Sequence, residues 1–97
     1  MTAGSGIVHA EISPPEFLRE GGPLEILQLW VNLPSRLKMS EPRYVGLQQE
    51  SIPAIALPGG GELNLIAGEW QGSVGPIDSL TDVFMSTLRL PSGSQEQ

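Results

Sequence analysis

Two residues near the start of the chain could do chemistry together. In MTAGSGIVHAEI (residues 1–12), His9 is the single histidine of the protein and stands two positions before Glu11. An imidazole nitrogen and a carboxylate oxygen are donors that suit non-haem iron, manganese, copper or nickel. Side chains two apart on an extended strand project from the same face. Ile7, His9 and Glu11 therefore share one side, and Val8, Ala10 and Ile12 the other. By itself one His-x-Glu is a weak signal, and two donors fall below the three or four that hold a catalytic metal. A solvent-facing or hydrogen-bonded pair accounts for the same spacing.

Few other residues compete for a chemical role. The chain has no cysteine. That excludes thiolate catalysis, disulfides and Cys-ligated zinc or iron–sulfur sites. Serines are plentiful, but an activated hydroxyl needs a base, and His9 is the only imidazole. Eleven acidic residues offer many carboxylate pairs and no preferred one. LPGGGE (57–62) lacks the Lys and Ser/Thr of a phosphate-binding loop and reads as a hairpin turn. Gln28, Trp30 and Asn32 alternate along LEILQLWVNLP (24–34) and could line a pocket, with Gln28 supporting a metal ligand. Trp30 as a core aromatic is the competing reading. SRLKMSEPRY (35–44) carries Arg36, Lys38 and Arg43 beside Glu41 and Tyr44, as a binding loop or, more simply, a structured polar connection.

The elements that must position these residues read as strands. Twelve glycines and nine prolines in 97 residues work against long helices, and 39% hydrophobic content with five aromatics leaves a core of Leu, Ile and Val. Strands are expected over 6–12, 24–34, 51–57, 62–70 and 80–90. Leu27, Leu29, Val31 and Leu33 form a wholly apolar face of the second, and Leu63, Leu65 and Ala67 of the fourth. A helical turn is expected at Glu16–Arg19, with Ser13 as its cap and Pro14 in first position, stopped by Gly21-Gly22-Pro23. The segment 72–79 reads as a loop. Residues 1–90 make one all-β domain, and 91–97 a polar, mobile tail. About five strands do not close a barrel of the usual eight, so open edges need cover.

The formal net charge is −6, with five basic residues. Such a surface repels phosphates, which argues against direct nucleic-acid binding. No apolar run reaches the length of a membrane span, and no signal peptide is visible. A cytoplasmic location fits the absence of cysteine.

MTAGSGIVHAE (1–11), LQLWVNLP (27–34), KMSEPRY (38–44) and LIAGEWQGSVGPI (65–77) together resemble the pirin family, and FMSTLRLPSG (84–93) resembles the next strand of those proteins. The resemblance implies a cupin-like β-barrel, here a partial barrel or sandwich of five to seven strands completed by oligomerisation. Pirins are bicupins whose N-terminal barrel binds a metal, usually iron. Some open the flavonol ring of quercetin with O2, as 2,3-dioxygenases, and others are regulators that bind transcription factors. The resemblance further implies that His9 and Glu11 correspond to the second pair of metal ligands. The family's first pair, a His-x-His, belongs to a strand upstream of the matching segment. The segment thus corresponds to the later part of the first cupin and the linker into the second.

Two functions follow as expectations. One is a pirin-like cupin derived from a metal-dependent dioxygenase, holding Fe(II) or another divalent transition metal at His9 and Glu11 with half of the family's ligands. The other is a non-catalytic β domain that has lost metal and activity and works through oligomerisation or a protein partner. A homodimer serves both, because a symmetric copy could bring a second His–Glu pair.

Overall fold

The computed structural model describes residues 1–95. The chain divides into two compact units, Met1–Arg43 and Tyr44–Gln97. Regular structure is mainly strand, in antiparallel pairs, and the sheets are open. It is an all-β, cupin-like partial fold whose barrel is not closed.

The second unit is built on β1 (Ala54–Ala56), β2 (Glu62–Ala67), β3 (Glu69–Trp70), β4 (Ser73–Val74) and β5 (Met85–Arg89). β2 is central, with β1 on one side and β5 on the other. The hairpin between β1 and β2 turns at 57–61, where Leu57 N–H donates to the Gly61 carbonyl (2.8 Å) and Gly60 N–H to the Leu57 carbonyl (2.9 Å). That is the turn expected from LPGGGE. The period-2 pattern sets the register: Leu63 lies opposite Ile55 and Leu88, and Leu65 opposite Ser86. Leu63, Leu65 and Ala67 point into the core, with Leu65 fully enclosed.

The strand expected over 62–70 ends earlier. Pairing with β5 slips between Leu65 and Ala67, and Gly68 separates β2 from β3. A bulge of this kind bends the strand and re-aims the residues beyond it. The stretch read as a loop at 72–79 contributes β4, which pairs with β3 across a two-residue turn. Gln71 and Gly72 both have positive φ (47° and 82°), the requirement of a tight primed turn. Past β4 the chain lies along β2: Gly75 N–H donates to the Gly68 carbonyl (2.8 Å) and Ile77 N–H to the Ile66 carbonyl (3.1 Å). A Cβ on Gly75 would sit 2.6 Å from the Ala67 nitrogen, so only glycine permits this approach. Trp70 and Phe84 meet as tilted rings with centroids 6.1 Å apart.

The first unit is organised differently. Its α-helix, α1 (Pro15–Glu20), extends the turn expected at Glu16–Arg19 by one residue at each end, and the cap differs: Pro14 rather than Ser13 is the N-cap, Pro15 opens the first turn, and no side chain caps it. Gly21 N–H closes the helix on the Phe17 carbonyl at 2.8 Å. The N-terminal turn is tied to 40–43, where Thr2 and Arg43 exchange both backbone hydrogen bonds (2.7 and 2.9 Å) and Ser5 N–H donates to Ser40 O (2.9 Å). Gly4 has φ +52°, and a Cβ there would strike the Ser40 carbonyl.

The strands expected over 6–12 and 24–34 are corrected by the structure. Both runs are irregular and join no strand ladder among the described residues. The side-chain pattern suits a strand, but a strand is a ladder, and the ladder needs a neighbour. Trp30, read as a core aromatic, is 85% exposed for the same reason. Residues 96–97 of the expected polar tail lie outside the described residues. Before them a turn forms, with Ser94 Oγ donating to the Pro91 carbonyl at 2.7 Å.

Candidate functional site

His9 follows the Gly4 turn by five residues. The tie between residues 2–5 and 40–43 holds the start of the run that carries it. No ladder forms over 7–12, yet the two-residue spacing still brings the pair together. His9 Nε2 lies 3.8 Å from Glu11 Oε1. That is longer than a hydrogen bond. It remains within the reach of one ion bound to both, since two donor–metal distances of about 2.1 Å sum to about 4.2 Å. The His9 side chain is 36% exposed and that of Glu11 70%, so both are open to an incoming group.

Two donors fall short of the three or four that hold a metal ion. Among the described residues, no group of three or more His, Asp or Glu side chains could hold an ion. Imidazole and carboxylate are donor types that suit divalent transition metals, and two of them fall short of a full ligand set. Gln28, Trp30 and Asn32 lie on an exposed run that belongs to no helix or strand. Asn32 Oδ1 accepts from Lys38 Nζ at 2.9 Å, while neither Gln28 nor Trp30 makes a hydrogen bond to the His9–Glu11 pair. Lys38 thus fastens the basic loop, whose Ser35–Leu37 segment is a single 3-10 turn, to the end of the run.

Two clefts lie in the second unit. One, of about 560 Å3, has Glu69, Asp78 and Asp82 along its walls beside Phe84. The other, of about 480 Å3, is lined by Leu57, Leu63, Trp70 and Leu88. The first gathers carboxylates that sequence reasoning left undistinguished among eleven acids. The signal that could have found them is the Gln71-Gly72 turn, which folds β4 back and brings Asp78 into the same wall as Glu69. Trp70 Nε1 is buried without a hydrogen-bond partner.

A Pseudomonas aeruginosa protein whose name provisionally assigns it as a quercetin 2,3-dioxygenase is 44% identical over 94 residues, covering 96% of this chain and 33% of its own length. A Caulobacter vibrioides protein named pirin-like is 43% identical over 96 residues, 97% of this chain and 33% of its own. Pirin-1 of Arabidopsis thaliana is 42% identical over 95 residues, 98% of this chain and 31% of its own. The chain is similar to pirin-family proteins over nearly its whole length, and it spans about a third of the length of these curated relatives. No protein-family model and no solved structure matches it. Among the described residues, no helix is long and apolar enough to cross a membrane.

Proposed function

We propose that this pirin-family chain carries half of a metal centre, with His9 and Glu11 as ligands for Fe(II) or another divalent transition metal. The scaffold derives from metal-dependent quercetin 2,3-dioxygenases and related regulators. The observation that carries this reading is the 3.8 Å approach of His9 Nε2 to Glu11 Oε1 with both side chains accessible. The names of the relatives support it, since quercetin 2,3-dioxygenase and pirin recur among them. When bound, the metal would supply Lewis acidity and O2 chemistry. The chain's own contribution is two donors on one side of an extended run. A further pair must come from outside that run for the coordination to be complete. A cytoplasmic place, and a protein rather than nucleic-acid partner, belong to the same reading.

Elemental analysis of the purified full chain, combined with its solution mass, tests the proposal. A transition metal at half or full stoichiometry per chain, lost in His9→Ala, supports it. Absence of bound metal after loading with Fe(II) or Mn(II) removes it.

A second reading is a non-catalytic oligomeric β domain. The run of exposed apolar residues from Leu24 to Val31 favours it. Under this reading the chain is a dimer whether or not it holds metal.

A further inference from the structure

We draw no further inference here: the strongest candidate, the cleft of about 560 Å3 in the second unit walled by Glu69, Asp78 and Asp82 beside Phe84, is a cluster of acidic side chains with no second feature among the described residues that points to a ligand.

Discussion

The two units start from similar material and use it in opposite ways. In the second, Leu63, Leu65 and Ala67 alternate along one strand, and all three are buried. In the first, Leu27, Leu29 and Val31 alternate just as regularly, and no residue of Met1–Arg43 falls in the buried class. The difference lies in the neighbours. β2 has β1 just upstream through a glycine turn, and β5 arrives on its other side. Residues 24–33 have proline at both ends and no paired strand among the described residues. Amphipathic alternation prepares a face. Only ladder partners and a covering layer turn that face into a core.

The largest test of this contrast is a matched pair of truncations. Leu65→Ala should destabilise the chain by about 2–5 kcal/mol, because it empties a fully enclosed position. Leu29→Ala should stay within about 0.5 kcal/mol in dilute solution. Urea unfolding followed by far-UV circular dichroism distinguishes them, and equal losses would mean that the first unit has a core of its own.

Glycine substitutions sharpen the comparison at the next level. Gly75→Ala forces a methyl against the backbone of β2 and should cost about 1–3 kcal/mol in the same assay. Gly4→Ala should instead act locally. Its φ of +52° and the nearby Ser40 carbonyl leave no room, so the tie to residues 40–43 should open. Hydrogen exchange reads this directly: the Thr2, Ser5 and Arg43 amides should lose protection, and those of β2 should keep theirs. Gly72→Ala, with φ +82° in the tight turn, should cost about 1 kcal/mol and loosen β3 and β4 only.

The smallest stability effect belongs to the candidate ligands. His9→Ala should change unfolding by less than about 0.5 kcal/mol, as expected of an exposed side chain without packing. Its effect on metal content should be complete. A large stability loss in the metal-free chain would assign His9 a structural role in the first unit.

Much of the second unit was legible in the chain itself. Leu63, Leu65 and Ala67 were readable as a core face from alternation, LPGGGE as a hairpin from its glycines, and Ala54–Ala56 as an edge strand within 51–57. The bulge after Leu65 and the hairpin at Gln71-Gly72 were not. Pairing partners set a bulge, and Gln-Gly is a weaker turn signal than Asn-Gly. The candidate site was legible as a pair, because residues two apart on an extended run share a face without help from the rest of the fold. The shortfall of donors was legible too, since His9 is the only imidazole and the chain has no cysteine; the exposure of the pair was not, because it depends on residues far apart in sequence.

Local pattern therefore determined the β character, the acidic surface, the LPGGGE turn and the adjacency of His9 to Glu11. Each of these depends on a few neighbouring residues or on composition alone. Tertiary structure decided which alternating run became a core, where β2 bends, which carboxylates share a cleft, and that Leu24 to Val31 stay open. Those outcomes depend on strand partners that are distant in sequence. The entropy of closing the intervening loops and the geometry of backbone hydrogen bonding govern such partners, and hydrophobicity at a single position does not.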